Sequence, residues 1–352
     1  MLEEMEIGWD SILMNSSDTG YPMSNHTVDY SFDRQRVQRI VAVVVPLFFG
    51  MIGILGFVGN CLVVIVVAAN PGMRSTTNIL IINLAVADLL FVIFCIPFTA
   101  TDFVLPFWPF GNVWCKIVQY LIIVTAYASV YTLVLMSLDR YLAVVHPVTS
   151  MSWRTENRTI LAICTAWAII FAISTPALVI HGEDMNVSSS QNLTACRILP
   201  DYDWPFFQIS FFLTSYLLPL MLICFFYIYM LVRLWRRSRV SAESRRGRRR
   251  VTRLVFVVVG VFAFCWCPIQ VILVTKSLDL YPLTTSTIMV QITSHILAYM
   301  NSCINPILYA FLSDSFRKAF RKIIYCTPRP DQNRQLGPLT RTTRASSTGD
   351  IL

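Results

Sequence analysis

Residues 77–105 read TNILIINLAVADLLFVIFCIPFTATDFVL, an apolar run broken by one acid at its middle, Asp88, and by a second, Asp102, only near its end. Hydrocarbon about 30 Å thick is crossed by about 20 apolar residues of helix, and backbone groups out of reach of water must pair among themselves. The run is therefore expected to be a helix that spans a bilayer. Six more such runs flank it, at 40–69, 114–145, 158–180, 206–234, 252–276 and 285–311. The expected fold class is all-α: a bundle of seven transmembrane helices. Composition agrees, because 55% hydrophobic against 14% charged residues leaves too little polar surface for water. Residues 1–39 are expected to form a tail, 40–311 the membrane domain, 312–326 a helix lying on the membrane and 327–352 a tail rich in Pro, Arg, Ser and Thr without packed structure. In the surface helix, Leu312, Phe316, Phe320 and Ile323 recur at helical spacing opposite Arg317, Lys318, Arg321 and Lys322. Cys326 ends it and is a candidate for palmitoylation.

The net charge of +8 is concentrated in one short loop, which fits a membrane face better than a nucleic-acid groove, so no nucleic-acid partner is expected. Ten arginines lie between Arg233 and Arg253; Arg140, Arg154 and Arg158 surround the loop after the third run, and more basic residues follow the seventh. Acids gather on the other side, at Asp102, Glu183, Asp184, Asp201, Asp203 and Asp279, with Arg197 and Lys276 as the main exceptions. Basic loops stay cytoplasmic, so the amino terminus is expected outside in a multi-pass plasma-membrane protein, although Arg34, Arg36 and Arg39 before the first run argue locally for the reverse. No removable leader is evident in the acidic segment Met1 to Asn15, and the first apolar run is expected to act as its own insertion signal. On this topology the glycosylation triplets at Asn15, Asn25, Asn186 and Asn192 face outward, whereas Asn157 faces inward. Of the ten cysteines only Cys115 and Cys196 fall on the oxidising side, and they are expected to pair.

Asp88 is the only acid at mid-membrane depth, where an ionisable group calls for a function or a partner. A proton relay, a cation site and a neutral acid are all open to it. The neighbouring oxygens of Ser129, Asn301, Ser302 and Asn305 favour a cation such as sodium, and no other cofactor or metal is expected.

Motifs in nearly every helix resemble the rhodopsin-like G-protein-coupled receptors. They are Gly56-Phe57-Val58-Gly59-Asn60, Asn83-Leu84-Ala85-Val86-Ala87-Asp88, Asp139-Arg140-Tyr141, Trp167, Pro219 with Tyr227, Phe262 with Cys265-Trp266-Cys267-Pro268, and Asn305-Pro306-Ile307-Leu308-Tyr309. The resemblance implies that Phe262 and Trp266 shift when agonist binds above them, and that Asp139 holds Arg140 at rest. It further implies that Tyr227 and Tyr309 swing in beside the released arginine, with Asp139, Arg140 and Tyr141 coupling to a heterotrimeric G protein of the Gi/o class. Pro219, Pro268 and Pro306 each remove a backbone hydrogen bond and are candidate hinges. Many relatives hold the arginine with an acid on the sixth helix. Arg248, Arg249 and Arg250 stand there instead, so a less firmly held resting state is expected. The arginine-rich loop is expected to meet lipid headgroups, and Thr340, Thr342, Thr343, Ser346, Ser347 and Thr348 to recruit arrestin once phosphorylated.

The third helix presents Gln119, Ile122, Ala126, Ser129 and Leu133 at helical spacing. Ile122 stands where amine receptors have an aspartate, which disfavours an ammonium ligand, and Tyr299 stands where an opsin needs lysine. Gln119, Gln208, Gln270, Gln291 and His295, with Lys276 and Asp102, form the candidate ligand set; neutral amides suit an extracellular peptide with an amidated end. The run from Cys267 to Leu273 with Lys276 and Asp279-Leu280-Tyr281 looks like the insect allatostatin-A receptors, relatives of the galanin receptors. That likeness implies a peptide ending in an aromatic residue, glycine and amidated leucine; a galanin-like peptide is the alternative. A transporter would show an internal repeat and charged pore residues, and an enzyme would show a nucleophile or metal cluster. Neither pattern is present in the sequence.

Overall fold

The computed structural model describes residues 26–73, 75–105, 107–186, 193–236, 242–282 and 284–324. Seven long helices form the bundle. The first, α1, runs His26–Ala69, and α2 comes in two segments, Thr76–Phe94 and Ile96–Val104. They are followed by α3, Gly111–Val145, and α4, Glu156–Ser174. A short turn of helix, Ala177–Ile180, leads to a hairpin of β1, His181–Asn186, and β2, Leu193–Ile198. Helix α5 runs Trp204–Phe212, passes through a π turn at Leu213–Leu217 and continues as Leu218–Arg236. The bundle closes with α6, Ala242–Ser277, and α7, Thr285–Leu312; the short α8, Asp314–Ile324, follows.

Several boundaries differ from the sequence expectation. Helix α1 starts well before Ile40, and α6 well before Thr252, because neither preceding segment contains a proline to stop it and arginine is a good helix former. The second helix breaks at Cys95, two residues before Pro97, whose ring removes a donor and disfavours helical geometry in the residue before it. Helix α4 starts at Glu156 rather than Arg158, because the Thr155 hydroxyl caps the Arg158 amide. Helix α5 begins at Trp204, capped by Asp203 and followed by Pro205, which needs no donor there.

Six of the helices are long and apolar enough to cross a membrane on composition alone. The seventh, α7, misses that mark because Gln291, Ser294, Asn301, Ser302 and Asn305 are all buried along it. Its polar groups face the bundle.

Two apolar clusters sandwich a polar middle layer. Val63, Leu84, Met136, Ile223, Val258 and Tyr309 belong to one, toward the arginine-rich end. Val45, Phe49, Phe91, Ile96, Ile288 and Tyr299 belong to the other, toward the hairpin. Between them lie Asn60, Asp88, Ser129, Asn301, Ser302 and Asn305, each less than one tenth exposed. Large apolar side chains such as Val43, Leu47, Ile54, Phe225, Ile228, Phe256 and Phe264 point outward, as a lipid-facing perimeter requires.

Small residues on α1 let α7 and α2 approach. A Cβ at Gly59 would sit 3.0 Å from the Pro306 ring, and one at Gly56 only 2.9 Å from Val92. Pro306 lacks the N–H that would serve the Ser302 carbonyl, and Asn60 Nδ2 donates to that carbonyl instead at 2.8 Å. The carbonyl that Pro306 leaves without its helical donor is thus served from α1. Across the bundle, Asn83 donates to Thr132 Oγ1 at 2.7 Å and accepts from Trp167 Nε1 at 2.8 Å, joining α2, α3 and α4. Helix α8 buries Phe316 against Tyr309 and exposes Arg317, Lys318 and Arg321, an amphipathic pattern as expected.

Candidate functional site

Three polar layers carry the chemistry, one at the hairpin end, one in the middle and one at the arginine-rich end.

At the hairpin end, Cys196 on β2 is bonded to Cys115 on α3 at an S–S distance of 2.02 Å, so the expected pair is present. Strand β1 pairs antiparallel with β2, with Glu183 opposite Cys196. The hairpin is fixed at further points. Trp108 N–H donates to the Thr194 carbonyl at 2.7 Å, Glu183 N–H donates to Asn112 Oδ1 at 3.0 Å, and Arg197 pairs with Asp184. The sequence pointed to no strands here, because the alternation in Leu193–Ile198 is too short to be read alone. His181, which starts β1, is packed edge-on to Phe207 with ring centroids 5.7 Å apart, and its Nδ1 donates to the Ala177 carbonyl at 3.0 Å. Burial pushes its pKa from 6.5 down to about 4, so the ring is neutral.

Beneath the hairpin the candidate ligand residues fall into two groups. On the α5–α6 side, Gln208 and Gln270 are buried, and Gln270 Nε2 lies 3.5 Å from Ser215 Oγ. Among the described residues Gln208 Nε2 and Gln270 Oε1 have no hydrogen-bond partner, one a donor and the other an acceptor. On the α2–α7 side, His295 packs against Phe103 and Tyr299 at 5.3 and 5.9 Å, within an aromatic group that Phe49 and Phe91 complete. Gln291 is buried one turn away. Gln119 stands by the disulfide, its Nε2 3.8 Å from Cys196 Sγ, and half-buried Asp102 and Lys276 lie on α2 and α6. The candidate ligand residues read from sequence as one set thus divide between buried amides on α5 and α6 and an aromatic group on α1, α2 and α7. Ile122 contributes apolar surface between the cluster around Phe91 and Tyr299 and a smaller one of Trp108, Cys115 and Val118 by the disulfide, with no carboxylate at that position.

In the middle layer Asn305 Nδ2 donates to Asp88 Oδ2 at 2.9 Å. Among the described residues, Asp88 Oδ1 and the carbonyl oxygens of Asn60, Asn301 and Asn305 have no well-formed hydrogen bond, with the Ser129 and Ser302 side chains close to the carboxyl group. Oxygens without a well-formed hydrogen bond thus gather at a buried acid, a donor set that suits a hard cation. Above it, Phe262 and Trp266 lie 6.0 Å apart on α6, beside Pro268. Tyr227 and Tyr309 are buried, and Pro219 is buried in α5.

At the arginine-rich end Asp139 is surrounded by donors. Thr76 Oγ1 donates at 2.9 Å and Thr77 Oγ1 at 2.8 Å. Arg140 Nε donates at 3.1 Å and Arg154 Nε at 2.7 Å, while an Arg140 amino group also reaches Thr77. Arg154 belongs to the loop after α3 and was read from sequence only as a topology charge. In the structure the arginine–acid pair is contacted from α2, through Thr76 and Thr77, and from this loop. Tyr141 turns away, packing against Phe226 and Tyr229 of α5 at 5.4 and 5.6 Å. The sequons at Asn15, Asn25 and Asn192, the palmitoylation candidate Cys326 and the tail hydroxyls lie outside the described residues, and Asn186 ends β1.

The profile of the 7 transmembrane receptor (rhodopsin family) matches residues 59–309. An Allatostatin-A receptor of Bombyx mori is 55% identical over 366 residues, covering 100% of both chains. A Galanin receptor type 2 of Rattus norvegicus is 38% identical over 88% of this chain and 84% of its own. A Galanin receptor type 1 of Homo sapiens is 39% identical over 84% and 85%.

Proposed function

Since this chain belongs to the rhodopsin family of seven-transmembrane receptors, we propose that it is a G-protein-coupled receptor for an amidated neuropeptide of the allatostatin-A type. The observation that carries the ligand choice is the 55% identity to an Allatostatin-A receptor along the full length, against 38% to a Galanin receptor type 2. The geometry supports it. Gln208 offers an unpaired donor and Gln270 an unpaired acceptor, the complement of a peptide or terminal amide, while the aromatic group around His295 suits an aromatic side chain of the ligand.

The hairpin end faces outward and the arginine-rich end faces the cytoplasm of a plasma-membrane receptor. The cytoplasmic face meets a Gi/o-type heterotrimer, and the phosphorylated tail meets arrestin. Asn15, Asn25, Asn186 and Asn192 carry glycans, Cys326 carries palmitate, and the basic loop rests on anionic headgroups. A sodium ion fits the middle layer, with Asp88, Ser129, Asn301, Ser302 and Asn305 as its candidate holders; bound there, it would supply the positive charge that the unpaired oxygens lack.

Cells expressing the chain are exposed to peptides ending in Phe-Gly-Leu-amide, to the same peptides as free acids and to galanin, with G-protein activation as the readout. Response to the amidated peptides alone is expected; response to galanin alone would overturn the ligand assignment and leave the receptor class standing. For the ion, replacing sodium by a large organic cation raises agonist affinity in the parent chain and has no effect in Asp88→Asn.

A further inference from the structure

Helix α5 departs from α-helical geometry in one place, the π turn Leu213–Leu217, which ends two residues before Pro219. The proline cannot donate to the carbonyl four residues back, and a π turn widens the helix there. The polar groups inside that turn all reach other helices. Thr214 Oγ1 lies 2.7 Å from the Tyr127 hydroxyl of α3, and its carbonyl accepts from Tyr131 at 3.1 Å. Ser215 meets Gln270 of α6.

The remaining contact differs in kind. The Tyr216 hydroxyl donates to the backbone carbonyl of Ala263 on α6 at 2.8 Å, a well-formed O–H···O bond. Ala263 precedes Phe264, whose carbonyl Pro268 leaves without its helical donor, so this bond grips α6 at its own weak point. The Tyr216 ring is stacked on Phe212 at 5.8 Å and lies 6.4 Å from Phe262, which in turn touches Trp266. At the other end of the bundle Arg140 is folded onto Asp139 and Thr77, so the structure holds the resting arrangement.

We infer that the Tyr216 hydroxyl is a latch: by holding the Ala263 carbonyl it ties α6 to α5 at rest, and agonist-driven movement at Phe262 and Trp266 must break it. Tyr216 is a positioning residue that acts through α6. Because its acceptor is backbone, no side-chain change at Ala263 removes the bond, and Tyr216→Phe removes the hydroxyl alone. The inference rests on the receptor reading given above.

Membranes matched for receptor number are assayed for agonist-free nucleotide exchange on a heterotrimer, and for peptide potency. Tyr216→Phe is expected to raise basal exchange about two- to tenfold, the equivalent of one neutral hydrogen bond, and to shift the peptide response to lower concentration. Tyr131→Phe, which loses a hydroxyl to the same turn from α3, stays within about twofold of the parent. A merely destabilised protein would lose surface receptors without gaining activity per receptor. Basal exchange in Tyr216→Phe at or below the parent level, or an equal rise in Tyr131→Phe, overturns the latch. A parent chain that activates no heterotrimer with any peptide overturns the receptor reading instead.

Discussion

Arg154→Ala tests whether the resting state is held from the loop after α3. Its guanidinium lies 2.7 Å from Asp139 Oδ1 and 3.2 Å from Thr76 Oγ1, with the arginine side chain 24% exposed and the aspartate 7%. A hydrogen bond to a charged partner contributes about 1.5–3 kcal/mol in such surroundings. Thr76, Thr77 and Arg140 continue to serve the carboxylate after the substitution, which places the loss near the low end, about 1.5 kcal/mol. Roughly 1.4 kcal/mol is tenfold in an equilibrium, so a receptor active about one time in a hundred without agonist becomes active about one time in ten. The assay is uptake of a non-hydrolysable GTP analogue by a heterotrimer in agonist-free membranes, normalised to receptor number. Arg154→Lys keeps the charge without the planar fork and is expected to fall between the two. Basal uptake in Arg154→Ala within twofold of the parent, with the maximal agonist response intact, would refute the reasoning.

Gln270→Ala removes the buried acceptor on α6 and is expected to lower peptide potency about three- to tenfold at unchanged surface expression; the size of the loss is read from the dose–response midpoint. Gly59→Leu drives a side chain into Pro306, where a Cβ alone already stands at 3.0 Å, so folded receptor at the surface should drop severalfold by antibody staining, and Gly72→Leu, with nothing within 4 Å, should not. His181 is neutral when folded, with pKa about 4 against 6.5 in the unfolded chain, so protons favour unfolding. Its contribution is complete above about pH 6.5 and declines as pH falls toward 4, by roughly 3 kcal/mol at most. Thermal melts of purified receptor between these limits should therefore flatten in His181→Phe relative to the parent.

The sequence made the number of helices, the disulfide and the polar middle layer legible, because each rests on a local property: length of an apolar run, side of the membrane, or one acid in hydrocarbon. Asn305 does meet Asp88, and Phe262 does lie beside Trp266. What stayed hidden depends on partners distant in sequence. Arg154 is one of many arginines until folding brings it to Asp139, and nothing around Tyr216 announces that a π turn will aim its hydroxyl at α6. His295 looked equivalent to Gln270 among the candidate ligand residues, yet it packs against Phe103 and Tyr299 of α2 and α7 while Gln270 lies against Ser215 of α5. Helix ends were misjudged wherever polar residues prolonged a helix beyond the apolar stretch.

The composition of α7 bears on how the chain is made. A segment carrying Gln291, Asn301, Ser302 and Asn305 partitions poorly into lipid by itself, while its best partners, Asn60 and Asp88, are synthesised first. Insertion of the final span is therefore expected to depend on helices already in place to receive it. A lesion in α1 such as the loss of Asn60 would then show itself during synthesis, as a seventh segment stranded outside the bilayer, before any signalling defect was there to measure.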